Sequence, residues 1–212
     1  MHRPMDPAPA PAQDRRAAIA SGDPSQAMPA LASLREVAEE EAVPLLLLGL
    51  EQRPFMVRSL ACAGLGVKRN EAGWHALVRA LQHDDDANVR AEAANALASY
   101  GVTRAWPLLI EAFNRDRGWL VRCSILSALA EAPDIPPEWL LELAQRAGVD
   151  DDGTVRIGAA EIFGRLVREG GEAATALAAR QQLRALQDDA DHRVVAAALN
   201  GLQSQQPGSQ QP

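Results

Sequence analysis

The chain has 212 residues, of which 47% are apolar, only 4% aromatic and 23% charged, with a net charge of −7. That length allows one sizeable domain or one elongated array, and much of the apolar content is alanine, the strongest helix former. The acidic balance excludes a general nucleic-acid binder, which needs a basic surface to displace counterions, and suits neutral or basic partners.

In chain order, residues 1–13 are rich in Pro and Ala and read as a disordered tail, as does the Gln/Pro/Ser segment 203–212. The N-terminus has Pro and Asp where a secretion signal needs an apolar run, and "VPLLLLGL" is too short to span a bilayer, so a cytoplasmic protein without a membrane span is expected. Residues 14–38 read as a worn helix pair at the N-terminal end. From there to residue 202 nearly everything reads as helix punctuated by Gly and Pro, with almost no period-two pattern.

A Val-Arg pair recurs at Val57-Arg58, Val89-Arg90, Val121-Arg122 and Val155-Arg156, with a degenerate copy at Val194-Val195. The spacings are 32, 32, 34 and 39 residues. The strings that follow are "VRSLACAGL", "VRAEAANAL", "VRCSILSAL", "VRIGAAEIF" and "VVAAALNGL". Apolar or small residues at the Val and four, seven and eight positions later make one helical stripe. A second amphipathic segment precedes each copy, and Trp74, Trp106 and Trp139 lie near its start, 32 and 33 residues apart. Each unit is thus a helix pair that cannot bury its apolar faces alone, and stacking the pairs makes a continuous core.

Asp86, Asp152 and Asp191 stand three residues before the motif Val, where a carboxylate caps the first free N–H groups of a helix. The first and third units carry Pro54 and Gly118 there, so looser junctions are expected. The motif Arg opposes the helix dipole and needs a counter-charge; an Asp or loop carbonyls of the neighbouring unit would make Arg58, Arg90, Arg122 and Arg156 a ladder between stacked pairs. The fifth unit, with Val195 in that place, has no following unit to tie. The acid clusters at 84–86, 150–152 and 188–191 read as solvated turns and caps.

The spacing "AWPLLIEAF … VRCSILSAL", together with "DANVRAEAANAL", resembles HEAT repeats of the type named after the phycobilisome (bilin) lyases, over about residues 41–202. The resemblance implies an all-α fold, an α-α superhelix of the HEAT/armadillo-like solenoid kind with five to six helix-pair repeats, right-handed and gently curved, in one span from 14 to 202. It further implies a scaffold or adaptor whose partner is a phycobiliprotein or photosynthetic assembly component in a cyanobacterial-type setting. Two alternatives accompany it: a subunit of a bilin lyase that handles phycocyanobilin, and an assembly factor for iron–sulfur or photosystem proteins.

In such an array the second helices line the concave surface. Positions two, three and six after the motif Val are expected to face outward there, among them Ala91. Glu92, Asn95, Ser124, Ser127, Glu161 and Asn200 are the candidate partner-contacting residues. Trp119 lies outside the repeat pattern in a turn beside Arg115 and Arg117, and the three are a candidate loop hot spot. The tryptophan trio reads as packing between adjacent first helices.

Catalytic residues are not expected. His75, His83 and His192 are scattered, and Cys-x-x-Cys and His-Glu-x-x-His are absent. The His-Glu dipeptides of a diiron-binding HEAT family are absent too, and "DDDANV" lacks the Gly and final Glu of a calcium loop. No metal and no cofactor are expected, phycocyanobilin being the alternative. Cys62 and Cys123 read as small hydrophobes in a reducing compartment.

Overall fold

The computed structural model describes residues 12–203, and among them every regular element is helical. Twelve α-helices form six consecutive pairs: α1 (Ala12–Ala20) with α2 (Pro24–Ser33), α3 (Glu39–Leu50) with α4 (Phe55–Val67), and α5 (Glu71–His83) with α6 (Ala87–Ala98). Then come α7 (Val102–Arg115) with α8 (Trp119–Ala130), α9 (Pro137–Ala147) with α10 (Gly153–Gly170), and α11 (Ala174–Ala185) with α12 (His192–Gln203). Short 3-10 turns follow α2 and α11. Of the two expected tails, residues 1–11 and 204–212 lie outside the described residues, whereas Ala12, Gln13 and Gln203 belong to helices.

The described residues group into two compact units, one ending at Gly101 and the other beginning at Val102. Gly101 has φ +109°, a conformation that an L side chain resists. In the first unit the second helices α2, α4 and α6 pack side by side, and the first helices α1, α3 and α5 form a second layer. In the second unit α8, α10 and α12 make one layer, while α9 and α11 pack together and α7 meets α9 through stacked indoles. The core of each unit lies between its two layers. The motif residues Val57, Val89, Val121, Val155 and Val194 are all fully buried there. Each such side chain contributes on the order of 1.5–3 kcal/mol on burial.

Residue size sets the spacing of the layers. On the second-helix side small residues permit backbone contact: a Cβ on Gly66 would lie 3.0 Å from the Ala96 Cα, and one on Gly164 would lie 3.0 Å from the Gly201 Cα. On the first-helix side rings fill the gaps. Trp106 of α7 stacks on Trp139 of α9 at 4.9 Å between centroids. Trp74 packs tilted against Tyr100, 5.4 Å away, and the Tyr100 hydroxyl donates to the Leu65 carbonyl at 2.9 Å. The second-helix layer is therefore the tighter of the two in both units.

Candidate functional site

The recurring charged residues come first, because their engagement decides what remains for a partner. Asp86, Asp152 and Asp191 are N-caps: their carboxylates accept from the backbone N–H of Asn88 (2.8 Å), Thr154 (2.7 Å) and Arg193 (2.9 Å). Hydrogen bonding from the Arg193 side chain and then from its backbone N–H pulls the half-buried Asp191 carboxyl down to about 2. At α4 and α8 the cap positions Pro54 and Gly118 make no such bond. Those turns are nevertheless held, contrary to expectation. Arg58 donates to the carbonyls of Gln52 (3.1 Å) and Arg53 (2.6 Å), Arg122 donates to that of Asp116 (2.8 Å), and Asp116 accepts from the Gly118 N–H (2.8 Å).

The arginine ladder is present at Arg58, Arg122 and Arg156, with an acceptor other than the cap. Arg58 forks onto Asp84 (Nε–Oδ2 2.8 Å, Nη2–Oδ1 2.9 Å), Arg122 onto Asp150 (2.6 and 2.8 Å) and Arg156 onto Asp189 (2.7 and 3.0 Å). Each acceptor lies in the turn of the next helix pair. Arg90 donates to the carbonyls of Asp84 (2.9 Å) and Asp85 (3.2 Å). The same carboxylates accept a second bond, from the N–H two residues on: Asp84 from Asp86, Asp150 from Asp152 and Asp189 from Asp191. This corrects the reading of the acid clusters as solvated, since one acid of each cluster is largely withdrawn from water against a guanidinium. Burial alone would raise the Asp84 carboxyl, but the Arg58 fork and the Asp86 N–H hold it below its ordinary value. Asp189 is lowered chiefly by its Arg156 fork.

A sequence signal for this was present. Asp84, Asp116, Asp150 and Asp189 each stand five residues before the motif Val, while the first unit, with no motif Arg ahead of it, has Gln52 there.

Of the second-helix positions, Asn95, Ser127, Glu161 and Asn200, six residues past the motif Val, are exposed. Glu92 and Ser124, three past it, are half-buried. Burial raises the Glu92 carboxyl above its usual value. Ala91 does not face outward. It is buried, whereas Ser59, Cys123 and Ile157 at the equivalent position are half-buried and Ala196 is exposed. In the second unit Glu161 and Asn200 line a shallow opening between α10 and α12 of about 490 Å³, with Arg168 and Arg193 at its edges.

Arg115, Arg117 and Trp119 share a wider opening of about 730 Å³ in the same unit, between the α7–α8 and α9–α10 turns. Trp119 is 48% exposed and Val149, across the opening, 83%. Arg115 pairs with Glu111 at 2.5 Å, whereas the exposed Arg117 makes no hydrogen bond or ion pair among the described residues. A third opening, absent from the sequence reading, is an apolar groove of about 280 Å³ in the first unit, between α2 and α4.

Neither cysteine is a ready nucleophile: burial pushes the Cys62 thiol up to about 12 and the Cys123 thiol up to about 11. Among the described residues no group of three or more His, Cys, Asp or Glu side chains could hold a metal ion, and no helix is long and apolar enough to cross a membrane.

A family model of HEAT repeats matches residues 43–130. Among solved structures, the archaeal HEAT-like repeats protein from Thermococcus onnurineus NA1 superposes with a TM-score of 0.57 at 16% identity, covering 93% of this chain and 81% of that one. The complex of CpcE and CpcF of phycocyanin lyase from Nostoc sp. PCC7120 gives 0.57 at 21% identity, covering 99% and 94%. An engineered protein gives 0.53 at 19%, covering 91% and 95%. No curated protein matches the chain. With helix pairs repeating at the motif spacing and Arg–Asp forks between pairs inside each unit, the fold is that of a HEAT-like α-solenoid, and HEAT repeats themselves are matched over residues 43–130.

Proposed function

We propose that the protein is a non-catalytic adaptor that binds another polypeptide through exposed residues on the second helices of its two units. The observation that carries this reading is the division of labour within the repeat. The motif Val, the capping Asp and the Arg–Asp fork are consumed by the fold, while the position six residues past the Val is exposed in four of the five copies and varies in chemistry: Asn95, Ser127, Glu161 and Asn200, with the half-buried Ala63 in the first. A repeat scaffold that holds its architecture constant and varies one exposed position of the repeat is suited to recognition, since stacked repeats present extended surfaces. Glu92 and Ser124, three residues past the Val and half-buried, supply further polar contacts. The motif resemblance and the likeness to the CpcE–CpcF complex favour a phycobiliprotein or another photosynthetic assembly component as the client, in the cytoplasm.

The test is capture from native lysate by the tagged chain and by an Asn95→Arg/Ser127→Arg/Glu161→Arg variant. A stoichiometric partner held by the parent and lost by a variant of unchanged melting temperature supports the adaptor. A partner retained by the variant removes the face from consideration.

A second reading, a bilin-handling subunit, is favoured by the opening at Trp119. An exposed indole face and the unpaired Arg117 have the chemistry to meet a planar tetrapyrrole and its propionates. The raised thiols make this chain a holder rather than the site of attachment. Phycocyanobilin carried through purification, seen as red-region absorbance and lost in Trp119→Ala, would favour this reading over the adaptor.

A further inference from the structure

The apolar groove of the first unit lies where α2 and its 3-10 turn face α4. Leu34 and Leu46, both fully buried, make its floor. Leu60 is half-buried and Val67, 57% exposed, stands at the opening. Leu60 and Val67 are three and ten residues past the motif Val57, so the groove continues the second-helix face.

Its rim is cationic. Lys68 donates from Nζ to the Arg35 carbonyl at 2.8 Å, which ties the ammonium to the groove edge and leaves two of its three donors unused by that bond. The exposed Arg35 guanidinium makes no hydrogen bond or ion pair among the described residues. No carboxylate lines the groove. In a chain of net charge −7, an apolar slot edged by two cations and no acid is a local reversal of sign.

We propose that the groove between α2 and α4 seats an aliphatic side chain of a partner polypeptide, with a carboxylate next to that side chain bound by Arg35 and Lys68. This rests on the adaptor reading and assigns the chemistry of the client. Charge complementarity selects the acid, because guanidinium and ammonium donors at the rim meet a carboxylate in charge-assisted hydrogen bonds. Size and continuity select a polypeptide. The opening, about 280 Å³, is below the usual range for small-molecule pockets, and it runs on into the second-helix face, so it suits one anchoring side chain of a longer ligand.

The test uses the full chain with methyl-labelled Leu and Val, titrated with acetyl-Glu-Leu-amide, acetyl-Gln-Leu-amide and hexanoate. Expected are shifts centred on the Leu34, Leu46, Leu60 and Val67 methyls, with the Glu dipeptide bound about fivefold or more tightly than its Gln isostere. Arg35→Gln/Lys68→Gln, two surface changes, should erase that preference, and Ala63→Leu, which fills the groove, should abolish the shifts.

Equal affinity for the two dipeptides, or shifts centred elsewhere, overturns the proposal. Hexanoate binding as tightly as the Glu dipeptide overturns it in favour of a free amphiphile. A lysate partner unaffected by Arg35→Gln/Lys68→Gln but lost with the Asn95/Ser127/Glu161 variant would remove this groove and leave the adaptor standing.

Discussion

Arg122→Ala tests the physical account of the repeat most directly. The guanidinium makes three bonds of 2.6–2.8 Å, two to the Asp150 carboxylate and one to the Asp116 carbonyl. The two side chains are only 13% and 10% exposed. Breaking a fully buried pair costs about 3–5 kcal/mol, because the surviving charge has no partner. Here the loss is smaller. Asp150 keeps the bond from the Asp152 N–H at 2.9 Å, and it lies in a turn that water reaches once the arginine is gone.

An orphaned charged hydrogen-bonding group costs about 1.5–3 kcal/mol, so about 2 kcal/mol is expected, which lowers the melting temperature by about 4–8 °C for a chain of this size. Urea unfolding of the parent, Arg122→Ala, Asp150→Ala and the double variant closes a cycle with an expected coupling of about 1 kcal/mol or more. Because the pair is screened little by salt, the loss should persist at high ionic strength. A melting temperature within about 1 °C of the parent, or a coupling near zero, would refute the ladder as a stabilising device.

Other outcomes follow from the same structure. Removing the α6 cap with Asp86→Ala should cost about 1 kcal/mol, with Asp86→Asn recovering most of it, measured by urea unfolding. Gly164→Ala places a methyl 3.0 Å from the Gly201 Cα, where backbone has to move; a loss of about 1–3 kcal/mol is expected in the same assay, and no loss would mean that the second helices are not in contact. The Asp84 and Asp189 carboxyls are depressed below their ordinary 3.8, so the stability they confer is present above that value and lost as pH falls through their folded-state values; Asp189→Asn should flatten the acid limb of a stability–pH curve. Glu92 has the opposite sign: its folded value lies above the ordinary 4.5, so its contribution is fully present below 4.5 and lost as pH rises through the folded value, and Glu92→Gln should raise the melting temperature at pH 7 by about 2 °C.

The candidate contact residues were legible to differing degrees. Asn95, Ser127, Glu161 and Asn200 stand exposed where the helical stripe puts them, because the angle of a residue around its own helix is set by 3.6-residue periodicity alone. Ala91 did not follow. Its burial depends on how closely neighbouring helices approach, which periodicity does not encode. Trp119 was identifiable as a residue outside the repeat, but Val149 across its opening was not, since the two meet only when successive turns are brought side by side.

The amino-acid order alone determined the helix pairs, their period, the apolar Val stripe and the capping aspartates, because each is a pattern of residues a few positions apart in the chain. It also announced that every motif arginine needs a counter-charge. The choice of Asp84, Asp150 and Asp189 for Arg58, Arg122 and Arg156 was decided by tertiary structure, which sets one pair's turn against the helix of the pair before it, across 26, 28 and 33 residues. The α2–α4 groove was decided the same way. Leu34, Leu46, Leu60 and Val67 are ordinary core-type residues in sequence, and only the incomplete closure of two helices leaves an apolar slot between Arg35 and Lys68.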